Sequence, residues 1–232
     1  MFKHEQHFNS GKINIYQANN MDLLRATPDK YYDLAIIDPP YGIGVDESMS
    51  KDSNTKRGKS EHPRGEYALK EWDKKPPEKE YFDELIRVSK NQIIWGANHF
   101  ISRIPYDSPC WIVWDKLNGD SGYADCELAW TSFKSATRKV KLKWHGMWQH
   151  DMKNKEIRIH PTQKPVRLYT WLLENYAKPT DKILDTHIGS FSSAIAAHYF
   201  GCEFTATEID AEYFNDGVKR FKEKSIQIKA DF

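Results

Sequence analysis

Cysteine is scarce in this chain: three of 232 residues, Cys110, Cys126 and Cys202, stand far apart and form no CxxC pair. That spacing argues against a disulfide framework or a zinc site, and makes the reducing cytoplasm the expected location. Long apolar runs are also missing. No stretch approaches the ~18 apolar residues of a membrane span, and the polar residues 1–19 carry no signal-type run. Neither sign of charge prevails, with 34 Lys and Arg against 33 Asp and Glu. Net charge is therefore silent about nucleic acid, and only local basic clusters can speak to it. There is no internal repeat and no low-complexity tract. Nine histidines are present. The pairs His4/His7, His145/His150 and His187/His198 lack a second ligand pair at zinc spacing, so no metal is expected.

What the chain does have is enough apolar material, 39% of residues, to bury the core of one domain spanning 1–232. Short apolar runs at 12–16, 33–38, 92–95, 110–114, 182–185 and 203–208 predict buried strands. Helical spacing appears at 78–90, 166–177, 192–200 and 211–224. Strands alternating with helices predict an α/β fold with a mostly parallel sheet and helices on both faces. On such sheets ligands bind at the carboxyl ends of the strands. Two stretches break the alternation. Residues 42–77 are long, polar and without apolar period, which predicts a mobile loop closing over a site. Residues 116–159 read as an irregular, basic insert with short strand-like pieces, a candidate target-recognition segment.

The strand at 33–38 ends in Asp38-Pro39-Pro40-Tyr41. Two prolines after a strand remove two N–H donors and stop the ladder. What remains is a rigid turn with a carboxylate before it and an aromatic ring after it. An exocyclic base amine needs that set, because its lone pair is delocalised into the ring. The Asp38 carboxylate and the Pro39 carbonyl can accept its two N–H hydrogens and favour pyramidal geometry, while Tyr41 stacks on an unstacked base. A plain strand-ending turn containing Pro-Pro is the alternative reading of these four residues.

Asp38-Pro39-Pro40-Tyr41 resembles the catalytic motif of the DNA amino-methyltransferases, which methylate adenine N6 or cytosine N4. His160-Pro161-Thr162-Gln163-Lys164-Pro165 is similar to the family's HPTxKP segment. Residues 183–190, ILDTHIGS, resemble its LDPFxGSGT loop, and Glu208 in TATEIDAEYF resembles its GxExxxxY. The catalytic motif precedes the cofactor loop, as in the permuted β class of restriction-modification and prophage type. The resemblance implies a circularly permuted, Rossmann-like methyltransferase fold that binds S-adenosylmethionine and no metal. It implies catalytic Asp38, Pro39, Pro40 and Tyr41, and a cofactor site of Asn19, Asp38, Thr162, Lys164, Asp185, His187, Gly189, Ser190 and Glu208. Lys164 is expected on the cofactor's carboxylate, and Asn19 where relatives carry an Asp for its adenine amine. An initial Asp in the catalytic motif favours adenine N6 over cytosine N4.

Phe191 departs from the family pattern, standing where the second glycine of GSG is expected. Its ring is expected to crowd the cofactor or restrain the loop, which leaves open a catalytically weak DNA-binding relative. The implied partner is double-stranded DNA, in a prokaryote or phage, with room for a homodimer or a restriction endonuclease and no membrane. Lys139, Lys141 and Lys143 in the basic insert, with Trp144 and Trp148 interleaved, and Lys56 and Arg57 in the 42–77 loop are the expected DNA contacts.

Overall fold

The computed structural model describes residues 2–44, 73, 75–119, 124–145 and 148–227. In chain order the strands are β1 (Gln6–Ser10), β2 (Ile13–Gln17), β3 (Tyr32–Ile37), β4 (Ser89–Trp95), β5 (Trp111–Asp115), β6 (Cys126–Thr131), β7 (Arg138–Lys141), β8 (Trp144–His145), β9 (Trp148–Gln149), β10 (Lys182–Asp185) and β11 (Glu203–Glu208). The helices are α1 (Asn20–Ala26), α2 (Lys79–Val88), α3 (Val166–Tyr176), α4 (Ser192–Phe200) and α5 (Ala211–Gln227). Nine strands form one sheet in the order β1-β2-β11-β10-β3-β4-β6-β5-β7, and β8 pairs with β9 separately.

The centre of the sheet is parallel, β2 to β4 through β11, β10 and β3. The strands at 12–16, 33–38, 92–95, 110–114, 182–185 and 203–208 appear within a few residues of their expected bounds, as do the four helices. Side chains on β3 alternate between faces with period two. Leu34 and Ile36 join one core with α3, α4 and α5, through Leu168, Leu172, Ile195, Phe214 and Phe221. Ala35 and Ile37 join the other with α1 and α2, through Leu24, Phe82 and Leu85. Helices therefore cover both faces, which is why the central strands are apolar throughout.

The crossovers β3–α2–β4 and β10–α4–β11 start on neighbouring strands and step in opposite directions across the sheet. Their helices lie on opposite faces, so the carboxyl ends of β3 and β10 flank a crevice at the topological switch point. This is the pairing that the permuted motif order implies: the Asp38 strand beside the Asp185 strand, with the Glu208 strand next.

The 116–159 stretch departs from its expected form. Its strand-like pieces belong to the main sheet, where β6 is inserted antiparallel between β4 and β5, and β7 closes the edge beside β5. Its apolar run CELAWT carries a charge at Glu127, which hid a sheet strand. Residues β1 and α1 also had no counterpart in the sequence reading. One is a polar, largely exposed edge strand and the other has seven residues, too few to show a helical period. The expected mobile loop at 42–77 falls mostly outside the described residues. No described helix is long and apolar enough to cross a membrane.

Candidate active site

Asp38 leaves the end of β3 with its carboxylate in a cluster of charges. Lys164 Nζ lies 2.6 Å from Asp38 Oδ1 and 3.0 Å from Glu127 Oε2. Glu127 Oε1 in turn meets Lys116 Nζ at 2.5 Å. The Tyr41 hydroxyl donates to Asp38 Oδ1 at 2.8 Å and receives a bond from Lys164 Nζ at 3.1 Å. All of these contacts to Asp38 fall on Oδ1, leaving Oδ2 as an acceptor. Lys164 is 5% exposed, so its charge persists only because carboxylates surround it.

Burial alone would drive the Lys164 ammonium down, but Asp38 and Glu127 outweigh it and hold it above the ordinary lysine value. Burial likewise opposes ionisation of Glu127, yet Lys164 and Lys116 hold it down at about 2. Burial pushes the Asp38 carboxyl up against the pull of Lys164. Beside a cation held protonated at 2.6 Å, we take Asp38 as ionised near neutrality. Tyr41 is pushed far up, by burial first and then by the two carboxylates, and stays a neutral donor.

The Tyr41 ring is seated by two neighbours. His99 stacks on it with centroids 5.1 Å apart and planes 17° from parallel. Gly96, at φ +68°, lies so close that a Cβ there would fall 2.0 Å from the ring. Only glycine meets both the left-handed backbone and the close approach.

The second half of the site sits one and two strands away. Asp185 ends β10, receives Ser193 Oγ at 2.6 Å and the His187 N–H at 3.0 Å, and is nearly fully buried. Its carboxylate thus braces the loop and the start of α4. Burial raises its pKa to about 7. Glu208 ends β11 and accepts the backbone N–H groups of Gly189 and Asp210, each at 2.9 Å, on different oxygens. His187 Nε2 lies 2.9 Å from the Asn20 amide, and Thr186 Oγ1 lies 2.5 Å from the Tyr81 hydroxyl. Thr162 Oγ1 lies 3.1 Å from His160 Nδ1, whose ring covers Gly189. Ser190 Oγ meets Ser192 Oγ at 3.1 Å.

Burial holds the His187 imidazole down at about 4. The folded state then binds fewer protons than the unfolded chain between about pH 4 and 6.5, so this group removes stability as pH falls through that window. Asp185 works in the opposite sense, binding more protons when folded between about pH 4 and 7. The expected result is an imidazole resonance of His187 that stays in its neutral position from pH 8 to pH 5 by NMR. A midpoint near 6.5 would mean that the ring is solvated.

Residues 127–219 of this chain match the family model described as DNA methylase. The chain is similar to the type II methyltransferase M2.MboI of Moraxella bovis, 24% identical over 95% of this chain and 91% of that protein. Its fold is like that in the crystal structure of the M1.HpyAVI–SAM complex, with a TM-score of 0.55 at 21% identity, covering 90% of this chain and 99% of the other. It is also like the cytosine-N4-specific PvuII DNA methyltransferase, with a TM-score of 0.61 at 11% identity, covering 96% and 94%.

In this chain several side chains differ in placement from their expected roles. Lys164, expected on the cofactor, is spent on Asp38, Glu127 and Tyr41. The Asn19 side chain caps α1, accepting the Met21 N–H at 2.9 Å. The Phe191 ring does not crowd the loop. It is fully buried against α5, where a Cβ on Gly217 would fall 2.0 Å from it. Its backbone does carry a left-handed φ of +64°, a conformation that glycine adopts without strain. Trp144 is a core residue donating its indole N–H to Gln163 O, whereas Trp148 is exposed beneath Lys143. Lys139 pairs with Asp115 at 3.2 Å. Lys56 and Arg57 lie outside the described residues. Glu127, Lys116, Gly96 and His99 were missed in the sequence. A single acid inside the buried run of β6 was the one signal that could have found Glu127.

Proposed function

We propose that this chain is a DNA methylase that transfers a methyl group from S-adenosylmethionine to adenine N6 of a base flipped out of double-stranded DNA. The observation that carries the reading is the junction of β3 and β10, which sets the Asp38 turn beside the strand ends bearing Asp185 and Glu208. An amine donating one N–H to Asp38 Oδ2 and one to the Pro39 carbonyl has its lone pair turned toward that second half. Pro40 keeps the turn rigid, and Tyr41 offers the base a ring face once His99 gives way.

The residues present suit the cofactor. Each Glu208 oxygen is engaged by one backbone N–H and keeps a lone pair for a ribose hydroxyl. Gly189, at φ +49°, leaves the loop without a side chain where a ligand would approach. This reading further assigns Ser190, Thr162, His187 and Asn19 to the cofactor. When bound, S-adenosylmethionine supplies a methyl group made electrophilic by its sulfonium. Asp38 and the Pro39 carbonyl then orient the acceptor amine.

DNA would approach along the β7 edge. Lys139 and Lys141 line a cavity of about 260 Å³ together with His150, Arg167 and Trp171. Lys141 and Arg167 make no ion pair among the described residues, which leaves them for backbone phosphates. Lys143 lies beside this edge on the exposed Trp148.

Incubation with tritiated S-adenosylmethionine and unmethylated DNA, followed by digestion to nucleosides, tests the reading. Label is expected in the N6-methyladenine nucleoside, with the rate reduced roughly 10²–10⁴-fold in Asp38→Asn. Label in the N4-methylcytosine nucleoside would replace adenine by cytosine. No label at any cofactor concentration would remove the transfer reading altogether.

A further inference from the structure

Four charged side chains crowd the amine end of the site, and the family motifs account for only two of them. Asp38 and Lys164 belong to the catalytic and HPTxKP segments. Glu127 comes from β6, and Lys116 from the residue after β5. Both reach the cluster because β6 is inserted antiparallel between β4 and β5, bringing the start of β6 beside the end of β5. Glu127 Oε2 takes Lys164 at 3.0 Å and lies 3.4 Å from the Tyr41 hydroxyl, while its Oε1 takes Lys116.

We infer that Glu127 and Lys116 are positioning residues that set, with opposite signs, how strongly the site favours a cation beside Asp38. The inference rests on the methyl-transfer reading above. In that reaction the amine lone pair forms the new N–C bond as the S–C pair stays with sulfur. One positive charge thereby moves onto the amine nitrogen, and its surplus proton passes to Asp38 Oδ2 and on to water. A group that stabilises a cation at this place assists the transfer, and a group that repels one restrains it.

Glu127 assists in two ways. It shares Lys164, so the ammonium is not given wholly to Asp38, and it adds a second negative charge behind the first. Lys116 cancels part of that charge from the far oxygen. With all four groups ionised the cluster is neutral. Removing Glu127 leaves it at +1, and removing Lys116 leaves it at −1. In a partly desolvated site one unit of charge within several ångströms shifts a cation's affinity by about tenfold or more. A purely architectural role predicts no such sign, since loss of either partner would loosen the same corner.

Calorimetric binding of two nucleosides to the full chain separates these cases without relying on turnover. S-adenosylhomocysteine is neutral at its sulfur. Sinefungin has the same framework with an ammonium at the place of the transferable group. In Glu127→Gln the preference for sinefungin over S-adenosylhomocysteine is expected to fall about tenfold or more. In Lys116→Met, which keeps a side chain of similar length without the ammonium that lies over Trp114, the preference is expected to rise. The neutral nucleoside reports whether each variant is folded, and if Glu127→Gln cannot bind it, Lys116→Met alone decides. Preferences that stay level or move the same way in both variants would overturn the inference while leaving methyl transfer standing. A wild-type chain that binds neither nucleoside would overturn the methyl-transfer reading, and this inference with it.

Discussion

Lys164→Met is expected to cost about 3–5 kcal/mol of folding stability at pH 7 and to abolish methyl transfer. The ammonium is the cation between Asp38 Oδ1 and Glu127 Oε2, and it is almost entirely buried. Removing it leaves two facing carboxylates that have given up water. Methionine matches the stem in length, so the loss isolates the charge from the packing. The pH dependence supplies the check. In the native chain Glu127 is held at about 2, below its ordinary 4.5, so its stabilising contribution is present above 4.5 and lost as pH falls through about 2. Without Lys164 that depression largely disappears, and the carboxylates relieve their repulsion by taking up protons. Urea denaturation of both proteins should therefore show a gap that is widest at pH 7 and narrows at pH 4. An equal gap at both values would reduce Lys164 to a packing residue.

The second large effect lies at Phe191, and its direction separates core from cofactor site. Phe191→Gly relieves a left-handed backbone that costs a bulky residue about 1–2 kcal/mol. It also empties a pocket whose filling by Phe is worth about 3–5 kcal/mol. The net expectation is a loss of about 1–4 kcal/mol, with cofactor affinity unchanged below the melting transition. Gly217 gives the partner measurement. Its missing Cβ would fall 2.0 Å from the Phe191 ring, so Gly217→Ala should destabilise the native chain. In a Phe191→Gly background the same change should be neutral or favourable, since alanine is the better helix residue by about 1 kcal/mol. A double-mutant cycle by thermal unfolding reads this directly. Tighter cofactor binding in Phe191→Gly would put the ring back in the ligand's way.

The outcome at Phe191 shows where sequence reasoning stops. Its position in the loop and the left-handed backbone were legible, because a motif glycine marks a conformation. The direction of the ring was not, because that depends on a glycine 26 residues later on another helix. The β6 strand makes the same point. Its six residues carry an acid among apolar neighbours, and their antiparallel place in the sheet is decided by pairing with strands that end 31 and 11 residues before it, which no local period records.

By itself the sequence determined the α/β class, the central strands and their helices, and the strand ends that carry Asp38, Asp185 and Glu208. These follow from apolar periodicity and from prolines and glycines, which constrain the backbone locally. Only the tertiary structure decided which charges meet. It set Lys164 between Asp38 and Glu127, and brought in Glu127 from β6 and Lys116 from the residue after β5. A buried charge takes the partner that the fold brings within a few ångströms, and burial makes that choice binding.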